Sequence, residues 1–158
     1  MKYTLGFLIY NNHVLMMNRN KKPWMGSWNG LGGKINPGET PKACLIREIE
    51  EETGIHLDPS QVVERGIVTW NDFDAEGQGL FLFVGYLHEP MIEPTPRRVD
   101  EGILDWKSME WIMNKDNTGI AHNIPYFLKH VIYENKRYHY HCVFENRKLA
   151  RVVIERMD

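Results

Sequence analysis

The sequence predicts an α/β/α sandwich built around a mixed β-sheet, and three observations carry that expectation. Short runs of apolar and β-branched residues, bounded by turn residues, recur along most of the chain. One well-punctuated helix, from Thr40 to Gly54, stands between the first runs and the middle ones. A second helix, Ile124 to Tyr133, precedes a closing hairpin. Helices before and after the middle strands place a helical layer on each side of one sheet.

A chain of 158 residues suits one domain spanning 1–158, large enough to bury about two-thirds of its unfolded surface. The net charge of −2 provides no basic field for long nucleic acids or anionic membranes. A nucleotide remains compatible, because a bound cation and a few Lys or Arg can neutralise its phosphates. Cys44 and Cys142 are too few for a disulfide framework, which fits a reducing, cytoplasmic setting. Cys44 reads as a buried, inert thiol. The N-terminal apolar run breaks at Asn11-Asn12-His13, so it is neither a signal peptide nor a membrane span.

Taken in order, Tyr3 to Tyr10 reads as a strand, Asn11-Asn12 as a turn and Val14 to Met17 as the hairpin partner. Arg19 to Pro23 reads as a basic loop, followed by Trp24 to Trp28. Thr40 is the expected N-cap of the first helix, Pro41 its first residue and Gly54 its left-handed C-terminal cap. Val62 to Asn71 and Leu80 to Leu87 read as strands, with Gly77-Gln78-Gly79 turning into the second. Phe81 and Phe83 share a face by the two-residue period, and core packing is their expected role. Pro90 to Pro96 is a proline-broken loop, and Ile103 to Trp106 a short strand. Met109 to Met113 begins a short helix, with Asn114 to Asn117 a loop. Tyr138 to Glu145 and Leu149 to Glu155 form the last hairpin around Asn146. On it Tyr140, Cys142 and Phe144 face one way, and His139 and His141 the other, where solvent-facing histidines are expected in the absence of a third metal ligand.

The chemistry concentrates between Gly33 and Ile55. Gly32 and Gly33 open a glycine-rich loop in which backbone can come close to a ligand. On the helix that follows, Glu48, Glu51 and Glu52 are spaced i, i+3 and i+4 and emerge on one face. They repel one another and lie in the last turn, where the helix dipole disfavours negative charge. A hard divalent cation such as Mg²⁺ resolves that conflict, because it takes oxygen ligands and joins carboxylates to substrate phosphates.

Gly33, Glu39, Arg47, Glu48, Ile49, Glu51, Glu52, Gly54 and Ile55 fill every defined place of the pattern G-x5-E-x7-R-E-U-x-E-E-x-G-U, with U aliphatic. On that motif the chain resembles the Nudix hydrolases. It is similar above all to the MutT-type enzymes that hydrolyse oxidised purine nucleoside triphosphates, including the animal 8-oxo-dGTP diphosphatase branch. Tyr3-Thr4-Leu5, Trp28-Asn29-Gly30 and the Asp100-Glu101 step before Trp106 extend the likeness beyond the motif.

The resemblance implies the Nudix fold and metal ligation by Glu48, Glu51 and Glu52, with the Gly32 carbonyl contributing and Mg²⁺ (Mn²⁺ as substitute) as the cofactor. It makes Glu101 an additional carboxylate that assists the metal or activates water, and sets Arg47 and Glu39 to orient the catalytic carboxylates. Thr4 and Asn29 match positions that contact base and sugar, and Arg19 stands where relatives carry lysine. Leu31, Gly32, Gly33 and Lys34 would line the substrate; Lys34 reads equally as a phosphate contact or plain surface. The implied reaction is NTP + H₂O → NMP + pyrophosphate by a monomer or homodimer, sanitising the nucleotide pool in the service of DNA repair. One departure stands out. The animal branch reads the oxidised purine with a tryptophan and two aspartates, and Asn117, Gly119 and Ile120 occupy the matching positions. Trp70, Phe81 or Phe83 would then supply stacking. Alternative readings are a Nudix hydrolase of another diphosphate, such as ADP-ribose, a nucleotide sugar or a dinucleotide polyphosphate, and a non-catalytic nucleotide-binding regulator.

Overall fold

The computed structural model of the chain describes residues 1–21, 25–71, 79–92 and 94–158. Strands β1 (Tyr3–Tyr10) and β2 (His13–Arg19) form the expected hairpin. Its two turn residues, Asn11 and Asn12, both take positive φ, 48° and 60°, which asparagine tolerates better than other side-chain-bearing residues. β3 (Trp28–Asn29) is a two-residue strand on β2, and α1 is the helix Pro41–Thr53. Then come β4 (Val62–Trp70), β5 (Gly79–Tyr86), β6 (Arg97–Val99) and β7 (Gly102–Ser108). Helices α2 (Met109–Met113) and α3 (Ile124–Tyr133) lead to β8 (Tyr138–Glu145) and β9 (Lys148–Arg156).

These strands make one mixed sheet in the order β6-β7-β2-β1-β5-β4-β8-β9, with β3 attached to β2. β1–β5 and β4–β8 are parallel, and the remaining pairs antiparallel. Phe7, Leu8 and Ile9 are buried in succession because both faces of the central strands are covered. On one face Leu45 and Ile49 of α1 pack with Leu8, Leu15, Met17, Phe83 and Leu104. On the other, α2 and α3 bring Ile112, Phe127 and Leu128 against Phe7, Met16, Val84 and Tyr140. The predicted α/β/α layering is observed. Among the described residues no helix is long and apolar enough to cross a membrane.

The caps of α1 are those the sequence predicts. Thr40 Oγ1 accepts the Ala43 N–H at 3.1 Å, and Gly54 sits at φ 81° with its N–H on Glu50 O. Four expectations need correction. Arg19 belongs to the end of β2, opposite Gly102 of β7, and not to a loop. β3 and β6 went unforeseen, because two or three residues display no period. His139 and His141 lie, half-exposed, on the face opposite buried Tyr140 and Cys142, but they are not simply solvated: Nε2 of the first and Nδ1 of the second each lie 2.7 Å from the Thr69 hydroxyl, which joins them across the β4–β8 pair. Phe81 and Phe83 pack into the α1-side core, as their default role required, and are not available for stacking on a ligand. The expected turn residues Gly77 and Gln78, the loop residues Lys22, Pro23 and Trp24, and Glu93 of the proline loop lie outside the described residues.

Candidate active site

The site exists because β1 and β2 part company. Their pairing holds only from Leu8↔Leu15 to Tyr10↔His13, and beyond it each strand takes a new partner. β2 pairs with β3, while the first half of β1 pairs with the loop that follows: Leu31 N and O both bond Gly6, Gly33 O accepts the Thr4 N–H at 2.9 Å, and Ile35 N donates to Lys2 O. The glycine loop is thus driven into a wedge in the sheet. Two of its glycines make close approaches. A Cβ on Gly32, at φ 151°, would stand 2.1 Å from the backbone Thr4 O, which bars any side chain there, and one on Gly33 would stand 2.3 Å from Glu48 Cδ and so displace that side chain.

Against this loop lies the last half of α1. Glu52 accepts the Gly32 N–H at 3.1 Å through Oε1. Burial pushes its carboxyl up to about 9, with the neighbouring Glu101 adding to the shift and the Gly32 N–H opposing it. Burial also raises Glu48, against the pull of Arg47. Glu101 occupies the tight turn between β6 and β7, pinned to β2 by Asn20, whose N–H reaches Glu101 O at 3.0 Å and whose side chain reaches Asp100 O at 3.1 Å. A carboxylate distant in sequence is thereby set beside Glu52. Glu51 is placed differently: its side chain is 60% exposed, on the rim.

Arg47 organises the surroundings. Its guanidinium donates to both oxygens of Glu39 at 2.8 and 2.9 Å, to Glu48 Oε1 at 2.9 Å, to Glu51 at 3.3 Å and to Lys34 O at 3.1 Å. It ties the loop to the helix and holds one oxygen of Glu48. Its hydrogen bonds hold the Glu39 carboxyl down to about 2.

The carboxylates open into a cleft of about 660 Å³, within the usual range of small-ligand sites. Glu48, Glu52 and Glu101 stand at one part of it with Gly32, Gly33 and Lys34. Thr4, Arg19 and Asn29 also line it, as expected from sequence. Leu31 does not: it is wholly buried in the α1-side core, so its expected substrate contact is withdrawn. Glu39, Arg47 and Glu51 stand outside the cleft. Trp70, Leu80 and Phe144 supply apolar wall, with Cys142 and Asn123 beside them. Burial pushes the Cys142 thiol up to about 11, so it contributes a neutral surface. Sequence reasoning missed Leu80, Asn123, Cys142 and Phe144 as site residues, because nothing in their spacing links the start of β5, the residue before α3 or β8 to the glycine loop. Asn117, Gly119 and Ile120, the positions matched to the base-reading tryptophan and aspartates, do not line the cleft. They brace β3 instead: Asn117 Oδ1 accepts the Gly119 N–H, Gly119 O accepts the Trp28 N–H, and Ile120 bridges Trp28.

The donor set at the carboxylate part is all oxygen, which fits a hard divalent cation, and a carboxyl as buried as Glu52 gains most from such a neighbour. Among the described residues no three His, Cys, Asp or Glu side chains converge into a ready-made cage; Glu48 and Glu51 are turned toward Arg47.

The sequence model of the NUDIX domain family matches residues 2–131. An 8-oxo-dGDP phosphatase of Homo sapiens is 40% identical over 63 residues, covering 38% of this chain and 20% of that protein. An oxidized purine nucleoside triphosphate hydrolase of Mus musculus is 28% identical over 110 residues, covering 70% of this chain and 67% of that protein. The chain thus spans a fifth of the length of the first relative and two-thirds of the second. Among solved structures, a mutator MutT protein of Bacillus halodurans superposes with a TM-score of 0.74 at 24% identity, over 97% of this chain and 96% of that one, a likeness of fold. With motif, sheet and family model in agreement, the chain belongs to the NUDIX domain family, and its fold is that of MutT-type Nudix hydrolases.

Proposed function

We propose that the chain, acting as one domain, hydrolyses nucleoside triphosphates to the monophosphate and pyrophosphate, with oxidised purine nucleotides such as 8-oxo-dGTP as the preferred class. The observation that carries this reading is a single cleft in which Glu48, Glu52 and Glu101 adjoin a wall of Trp70, Leu80 and Phe144 flanked by the amides of Asn29 and Asn123. Carboxylates suit the diphosphate; an aromatic wall with amides suits a neutral base. The name of the mouse relative supports an oxidised purine triphosphate, and that of the human relative, a phosphatase of 8-oxo-dGDP, supports the oxidised purine alone.

Nudix hydrolases generally use divalent metal ions. Here Glu48, Glu52 and Glu101 would hold the ion, Mg²⁺ in the first instance, with Glu51 joining from the rim and the Gly32 carbonyl close by. When bound, such a cation supplies charge neutralisation at the phosphoryl oxygens and acidification of a water. The chain's own residues do the rest. Arg47 and Glu39 keep Glu48 oriented, Lys34 meets phosphate oxygens, and Glu101 or Glu52 takes the water's proton.

The test is turnover with Mg²⁺ on a panel of 8-oxo-dGTP, the normal dNTPs, ADP-ribose and diadenosine polyphosphates, with E52Q as control. Preference for 8-oxo-dGTP supports the full reading. Activity confined to ADP-ribose or dinucleotides overturns the substrate class, and equal turnover by E52Q overturns the site.

A further inference from the structure

A second cleft, of about 450 Å³, meets the first at Glu52 and Glu101 and runs between the C-terminal turn of α1 and the β6–β7 hairpin. Glu50, Glu51 and Asp100 contribute to it, and among the described residues the cations lining it are Arg97 and Arg98 of β6. Acidic walls alone would repel phosphate, so the arginines decide what enters. Among the described residues neither side chain forms an ion pair or hydrogen bond, although five carboxylates line the same cleft. The register separates the two. Arg97 pairs with Leu104, whose side chain lies in the α1-side core, so Arg97 shares the sheet face that carries α1; Arg98 pairs with exposed Ile103 on the opposite face. One hairpin therefore carries the Glu101 carboxylate at its tip and an unpaired guanidinium on the strand leading to it.

We propose that this second cleft receives the distal phosphates of the substrate, with Arg97 as the residue that holds them. The inference rests on the function proposed above and deepens it. A nucleotide whose base lies against Trp70 and whose reacting phosphate lies at Glu52 and Glu101 extends its remaining phosphates past these two residues, toward Arg97. A guanidinium matches a terminal phosphate in charge and in its paired N–H donors. The substrate class selected is then nucleoside triphosphates and longer polyphosphates over nucleoside diphosphates. Arg97 is a binding and specificity residue, and its effect falls on KM.

The experiment compares kcat/KM for a nucleoside triphosphate and the matching diphosphate in wild type, R97A and R97K. The triphosphate-to-diphosphate ratio is expected to fall about tenfold in R97A, through KM, and to recover in part in R97K. An unchanged ratio, or equal losses on both substrates, overturns the inference. Should wild type hydrolyse no nucleotide, the proposed function fails by itself. Calorimetric binding of inorganic triphosphate then decides the cleft: weaker binding by R97A supports it, and equal binding overturns it.

Discussion

Gly33 and Glu48 are in mutual possession of one space: the glycine Cα faces the carboxyl group so closely that a single added carbon would stand 2.3 Å from Glu48 Cδ and 2.5 Å from Oε2. The loop glycine and the helix glutamate of the motif are therefore one steric unit.

G33A is expected to expel the Glu48 side chain from the site. Because that side chain is flexible and half-buried, the fold survives while catalysis suffers. A kcat at least about tenfold below wild type, with a melting temperature within a few degrees, is the expected pair of results. Wild-type kcat would show that the Glu48 position is not required.

Glu39 offers the pH prediction. Arg47 holds its folded-state carboxyl at about 2, below its ordinary value near 4.5. A depressed carboxylate contributes stability that is fully present above about pH 4.5 and is lost as pH falls through about 2. The melting-temperature gap between wild type and E39Q should be constant near neutrality and close between these values. A gap that widens on acidification would contradict the pairing.

Trp70 and Phe81 differ in a way that mutation can read. Trp70 lines the cleft, whereas Phe81 packs in the α1-side core. W70A should raise KM for a nucleotide about tenfold and leave affinity for inorganic triphosphate alone, in line with about 1–3 kcal/mol per stacked base. F81A should lower stability and spare KM. The reverse pattern would relocate the base.

Leu45 is buried beneath the loop, and a Cβ on Gly6 would fall 2.7 Å from its Cδ1, so sheet and helix are in tight contact there. L45A should cost about 2–5 kcal/mol in urea unfolding. A loss under about 1 kcal/mol would mean that α1 resettles on the sheet.

Much of this architecture is legible in the sequence where local physics decides it. Thr40, Pro41 and Gly54 mark α1 because capping depends on neighbours three or four residues away. Asn11-Asn12 marks its hairpin for the same reason. The carboxylate part of the site is nearly as legible, since Gly33, Glu48 and Glu52 belong to one loop–helix unit. What escapes is whatever depends on long-range register. β3 and β6 are too short to show a period, Arg19 becomes a strand residue only because β7 lies beside it, and Thr69 captures His139 and His141 across strands 70 residues apart in the chain. Leu31 misled for a related reason: adjacency to two cleft glycines places it in the motif, yet its β-bridge to Gly6 turns it into the core.

The parting of β1 from β2 also bears on when the site comes into being. Thr4, Glu52, Trp70, Glu101 and Asn123 come from five stretches spread across the chain, and they converge only around a strand pair that has separated on schedule. Contacts of such sequence separation form late, after loop-closure entropy has been met. Nucleotide binding should therefore be the last signal to return on refolding, after helix and sheet signals are complete. A fragment ending before Asn123 lacks that amide and the Phe144 wall, and the glycine wedge it retains would hold carboxylates with only part of the ligand wall to face.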